Sequence, residues 1–124
     1  MKVKLGIDCL LDSDELKKKR IGLLTNSSGV NGDLKINVDL MLDVGFNIVK
    51  LFGPEHGISG AAADGVSVDN AVDPKYGIPI YSLFGDVIRP TEEMLSGIDA
   101  FVYDIQDVGL RFYTYLYSLV YSME

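Results

Sequence analysis

The sequence predicts an α/β fold: a mainly parallel sheet with helices on both faces. Three observations carry that expectation. Short runs rich in β-branched and aromatic residues recur along the chain, helical apolar spacing separates them, and the runs end in polar or glycine-rich residues. Strand alternating with helix implies right-handed crossovers and a parallel sheet covered on both sides.

Taken in order, Asp12-Ser13-Asp14-Glu15 followed by Lys17-Lys18-Lys19-Arg20 places acids at the start and bases at the end of a short helix, as the helix dipole favours. Arg20-Ile21-Gly22-Leu23-Leu24-Thr25-Asn26 reads as a buried strand ending in a Ser27-Ser28-Gly29 turn. Leu34, Val38, Met41 and Leu42 recur at helical spacing, and Gly45 ends that helix. The next strand is Phe46-Asn47-Ile48-Val49-Lys50-Leu51-Phe52, closed by Gly53-Pro54, which cannot continue a ladder. Residues 57–76 lack hydrophobic periodicity, and a loop longer than ~12–15 residues in a compact domain suggests a lid or rim. Residues 77–85 give a third core strand, near an edge because Pro79 has no N–H. Pro90-Thr91-Glu92-Glu93 starts a helix, and Ala100-Phe101-Val102-Tyr103-Asp104-Ile105-Gln106-Asp107 is a fourth core strand that begins apolar and ends polar. In the final helix, Phe112, Leu116, Leu119, Val120 and Met123 are expected to form the buried face. Tyr113, Tyr117 and Tyr121 form a second row, read either as the flank of a wide core-facing surface or as cover for something outside these residues, and Tyr117 and Tyr121 are expected to be partly exposed.

A length of 124 residues fits one domain spanning 1–124. Apolar residues at 48% against 23% charged exclude a disordered tail. A net charge of −7 argues against nucleic acid and against an anionic membrane surface as partners. The single cysteine, Cys9, cannot form an internal disulfide and is expected to be a small buried residue. The opening MKVKLGIDCLL lacks the apolar core of a signal peptide, and no segment approaches transmembrane length, so the expectation is a cytoplasmic protein.

The chemistry concentrates where strands end. Residues 51–60 read LFGPEHGISG and set Glu55 beside the only histidine, His56, at a strand's carboxyl end. In open parallel sheets that edge is where ligands bind, because the loops diverge there. Asn26, Asp104, Gln106 and Asp107 end other strands, with Arg111 and Tyr113 just beyond. Two carboxyl groups across a crevice can divide acid and base roles when their environments differ. Arg111 would hold Asp107 or Asp104 ionised, while Phe52, Gly53 and Pro54 would partly desolvate Glu55. This is the minimal kit for cleaving a glycosidic bond. A metal bound by one histidine and carboxylates is the weaker alternative. Neither a phosphate-binding GxxxxGK[ST] loop, nor GxGxxG after the first strand, nor a GxSxG serine elbow is present.

The blocks LLTNSSGV, LFGPEHG, GIPIYSLFG followed by RPTEEML, and DIQDVGLRFYTY together resemble the exo-acting β-N-acetylmuramidase family of bacterial glycoside hydrolases, from about Val3 to Glu124. The resemblance implies a Rossmann-like N-terminal domain, with a C-terminal domain missing and the active site in the cleft between the two. It implies removal of terminal N-acetylmuramic acid from peptidoglycan-derived muramyl saccharides, with no cofactor and no metal. Glu55 matches the proposed catalytic acid. Asn26, His56, Asp104, Gln106, Asp107, Arg111 and Tyr113 match positions that shape the sugar pocket. Relatives often carry an arginine and an acidic residue where this chain has Ser59 and Ala61, which removes a candidate contact to the sugar's lactyl carboxylate. The competing expectation is a non-catalytic carbohydrate-binding or interaction domain derived from such an enzyme.

Overall fold

A computed structural model describes residues 3–61 and 70–124. Five strands, β1 (Arg20–Thr25), β2 (Asn47–Gly53), β3 (Ala71–Val72), β4 (Pro79–Ser82) and β5 (Ala100–Asp104), form one sheet in the order β3-β4-β2-β1-β5. β1 pairs in parallel with β2 and β5, and β2 pairs in parallel with β4. The four core strands are those the sequence predicts. The two-residue β3 is the addition, antiparallel to β4, with Val72 opposite Pro79. Pro79 thus sits one short strand from the sheet's edge. Of the long 57–76 segment, residues 62–69 lie outside the described residues.

Alternation along the strands divides the core into two layers. Ile21 and Leu23 of β1 point with Ile48 and Leu51 of β2 toward α1 (Gly6–Leu10), α2 (Asp14–Lys17) and α3 (Asn37–Asp43), meeting Ile7, Leu16, Val38 and Met41. Leu24 and Phe52 point the other way, meeting Met94 of α4 (Glu92–Leu95) and Tyr115 of α5 (Tyr115–Met123). Fully burying a side chain such as Leu23 or Phe52 contributes about 1.5–3 kcal/mol. The result is the three-layer, Rossmann-like arrangement. Gly22 marks a register shift between β1 and β2, and a Cβ there would press on Ile98 and the Phe52 ring.

Local rules explain most element boundaries. Ser13 caps α2 by accepting from Leu16 N–H, and Thr91 caps α4 by accepting from Met94 N–H. Pro90 therefore lies just before the helix rather than in its first turn. At the far end of α4, Lys50 of β2 donates to the carbonyls of Glu93, Met94 and Ser96 at 3.1, 2.8 and 2.8 Å, supplying the positive charge a helix C-terminus favours. Arg20 and Asp99 form a bidentate pair that ties the starts of β1 and β5, and the arginine holds the Asp99 carboxyl well below the usual carboxylate range.

Three local expectations are corrected. Leu34 lies outside α3, exposed and at φ 61°, in a turn whose N–H groups at Asp33 and Lys35 donate to the Asn31 side chain. Cys9 is exposed rather than buried, because α1 directs Ile7 and not its neighbour into the core. The third correction concerns α5, where most of the predicted buried stripe faces outward: Met123 is 78% exposed, Leu116 and Val120 are exposed, Leu119 is half-buried, and Phe112, also 78% exposed, precedes the helix. The inward face carries Tyr115, packed against the Leu24 and Phe52 layer, and Ser118, whose hydroxyl donates to the Thr114 carbonyl of its own helix. Ser118 is buried, Tyr103 donates its hydroxyl to the Tyr115 carbonyl, and Asn26 bonds the Tyr115 side chain. In the tyrosine row, Tyr117 is half-exposed as expected, and Tyr121 lies under the Arg89 guanidinium at 4.2 Å.

Candidate active site

Because β1, β2, β4 and β5 are parallel, their carboxyl ends share one edge of the sheet, and most of the predicted polar residues gather there. The exit from β2 is built by its glycines. Gly57 N–H bonds the Pro54 carbonyl at 2.9 Å, folding the loop back over the strand end. A Cβ on Gly53 would meet the backbone of Gly57 and Ile58 at 3.1–3.3 Å, so a larger residue would push the loop off the strand end by a few tenths of an ångström. His56 holds φ 71°, a left-handed conformation costing a non-glycine residue about 1–3 kcal/mol and commonest at functional sites. The turn sets Glu55 and His56, both half-buried, into a cavity of about 360 Å³ whose other walls are Phe112, Tyr113, Thr114 and Tyr115. That lies at the small end of the ~300–1,000 Å³ range for small-molecule sites, enough for one sugar ring. Glu55 Oε2 accepts a hydrogen bond from Thr114 Oγ1 at 2.8 Å.

The other predicted residues divide between this cavity and the framework around it. Tyr113 lines the cavity, stacked edge-on against Tyr115. Asn26 is buried beside it, with its Oδ1 accepting from Ser28 N–H and the Ser28 hydroxyl, which in turn accepts from Gln106 N–H at 2.9 Å. Asn26 and His56 also line a larger space of about 830 Å³ on the α3 side, with Ser59 and Ala61 on its wall. Asp104 does not join Glu55. Alternation puts it on the α3 face, where Oδ2 accepts from Asn37 Nδ2 at 2.7 Å and the residue lines a separate 220 Å³ cavity with Ile7, Leu10 and Met41. Among the described residues, Glu55 and Asp104 therefore line different cavities rather than the expected shared crevice.

Nor does Arg111 pair with Asp107 as expected. Gly109, at φ 71°, turns the chain so that Arg111 is exposed, and Asp107 Oδ1 accepts from Gly109 N–H at 2.6 Å while Oδ2 is buried without a hydrogen-bond partner. The Gln106 side chain is exposed and reaches the Asp107 carbonyl. Among the described residues, no three His, Cys, Asp or Glu side chains gather as a metal site would require, and no helix is long and apolar enough to cross a membrane.

Two features escaped sequence reasoning. Thr114 falls inside the final helix expected from Phe112 onward, and nothing in the sequence links it to Glu55. Asn37 carries no signal within the helix expected from Leu34, yet it is fully buried and joins α3 to Thr25 and Asp104.

Burial, then the negative charge of Asp107 and the neighbouring Tyr115 and Asp104, push the Tyr103 hydroxyl up to about 12 from an ordinary 10.0. An unfolded chain releases that proton near pH 10, whereas the folded one keeps it until about pH 12. The stability tied to Tyr103 is thus complete below pH 10 and lost as the pH rises through 12. Tyr103→Phe should flatten the fall of the unfolding midpoint across that window, and a variant with the wild-type slope would disprove the assignment.

A three-layer α/β sheet with a cavity at its carboxyl edge has the arrangement in which open-sheet proteins bind ligands. Comparison with known proteins gives the family. The chain belongs to the family described as exo-beta-N-acetylmuramidase NamZ, N-terminal, whose model matches residues 21–124. It is 50% identical over 126 residues to the peptidoglycan beta-N-acetylmuramidase NamZ of Bacillus subtilis (strain 168), covering 99% of this chain and 30% of that protein. Two crystal structures of DUF1343 family proteins from Bacteroides fragilis NCTC 9343 superpose with TM-scores of 0.86 and 0.78 at 41% and 38% identity. They match 97% and 99% of this chain, which spans 30% and 31% of theirs.

Proposed function

We propose that these residues form the N-terminal, acid-bearing part of an exo-β-N-acetylmuramidase that removes N-acetylmuramic acid from the non-reducing ends of peptidoglycan fragments. The observation that carries this reading is Glu55, presented by a strained loop into a sugar-sized cavity in a chain half identical to a peptidoglycan β-N-acetylmuramidase. Glu55 acts as the general acid that protonates the leaving oxygen. His56 and Tyr113 contact the sugar from the same cavity. Asn26 and Gln106 hold the strand ends that shape it, and Asp104 and Asp107 act through the framework. Arg111 is exposed to meet substrate or the rest of the enzyme.

One wall of the site is left to the remainder of a longer protein. The chain spans about 30% of its relatives' length, and the outward face of α5 exposes Leu116, Tyr117, Val120 and Met123. An exposed apolar face of that kind usually marks an interface. Among the described residues, β5 is also an edge strand, paired with β1.

The test is a chimaera in which these 124 residues replace the matching stretch of the B. subtilis relative. It should release N-acetylmuramic acid from a chromogenic muramide, and the 124 residues alone should release little or none, because an unenclosed site cannot exclude water. A chimaera that binds the muramide without cleaving it would replace this reading with a carbohydrate-binding domain.

A further inference from the structure

We infer that Thr114 is a positioning residue for Glu55, clamping the carboxyl group in its working orientation; the inference rests on the reading of Glu55 as the general acid. Thr114 occupies the N-cap of α5, where a threonine hydroxyl ordinarily accepts from a backbone N–H of the helix's first turn. Here it makes no capping bond. Its hydroxyl is turned out of the helix and donates to Glu55 Oε2 at 2.8 Å, across 59 residues of sequence. The helix thus forgoes a local stabilisation that Ser13 and Thr91 supply to α2 and α4.

Thr114 is also well anchored. Its carbonyl accepts from Ser118 N–H at 3.0 Å, and the next residue is held on two sides, by the Tyr103 hydroxyl and by the Asn26 side chain. The hydroxyl therefore offers Glu55 Oε2 a donor held at a fixed point. A hydroxyl suits an acid that changes protonation state. It donates to the carboxylate and accepts from the carboxylic acid, so the same contact survives proton transfer in both directions. A lysine or arginine in its place would serve the ionised form alone.

The role predicts a particular kinetic pattern in the chimaera with the B. subtilis relative. Thr114→Val keeps the shape and removes the hydroxyl, and it should lower kcat roughly tenfold to hundredfold with KM unchanged, because a misoriented acid loses near-attack geometry without losing the sugar. The unfolding midpoint should hold, since no cap is lost. Thr114→Ser should restore most of kcat. Thr114→Ala, run alongside, gives the same comparison should the branched valine fail to fold. A kcat within twofold of wild type in the valine and alanine variants, a rise in KM instead, or a serine variant as slow as valine would each overturn the role. Glu55→Gln separates this from the underlying reading: if it stays active, the assignment of Glu55 fails, whereas an inactive Glu55→Gln beside a normal Thr114→Val overturns Thr114 alone.

Discussion

Glu55→Gln in the chimaera is expected to lower kcat/KM on a muramide with a poor leaving group by roughly 10²–10⁴-fold, the usual contribution of a general acid. The amide fills the same space and its oxygen still accepts from Thr114, so the loop and the cavity should survive. What disappears is the proton delivered to the glycosidic oxygen as its bond to the sugar breaks. The leaving group therefore supplies an internal control. An aglycone that departs readily as an anion needs no proton, and on such a substrate the variant should lose far less. Equal losses on both substrates would show that Glu55 positions sugar rather than protonating it. No loss on either would remove it from the chemistry.

The sheet was legible because its strands carry their own signal. The runs around Leu23, Leu51, Ile80 and Val102 are apolar with β-branched content, each ends in a polar or glycine residue, and parallel pairing follows from the helices between them. The shared edge followed from topology alone. What the sequence left open is which way each side chain leaves that edge. Asp104 is legible in hindsight, since it shares the parity of Val102, whose face packs on the layer of α1 and α3. Glu55 belongs to a loop, where no such parity applies.

The α5 reading failed for a related reason. Apolar periodicity locates a face that wants burial, but not whether the burying surface belongs to these residues. Leu116, Val120 and Met123 keep helical spacing and face away, while Thr114 and Tyr115 reach Glu55 and Asn26 at the strand ends and Ser118 is buried against its own helix. Thr114 and Asn37 were hidden because both bonds join residues distant in sequence.

Gly29→Ala should be among the most damaging single changes outside the cavity, although it adds one methyl group. Gly29 follows β1, its N–H bonds the Asn26 carbonyl, and its own carbonyl accepts from Asn37 N–H at 2.8 Å. A Cβ at this position would fall inside contact distance of Asn37 Nδ2 and Thr25 Oγ1, both on buried residues. Neither can yield easily, because Asn37 Nδ2 also donates to the Asp104 carboxylate and Thr25 Oγ1 donates to the Asp104 carbonyl. The methyl must push α3 away from the sheet or break bonds that hold buried polar groups. Overpacking and a lost buried hydrogen bond together cost roughly 2–5 kcal/mol. For a chain of this size that lowers the unfolding midpoint by about 10–20 °C. Gly32→Ala is the control: it meets no atom and has no left-handed φ, so its midpoint should stay put or rise slightly. If Gly29→Ala unfolded within 2 °C or so of the Gly32 variant, against the ~10–20 °C expected, the Thr25, Asn37 and Asp104 cluster would not be what locks α3 to the ends of β1 and β5.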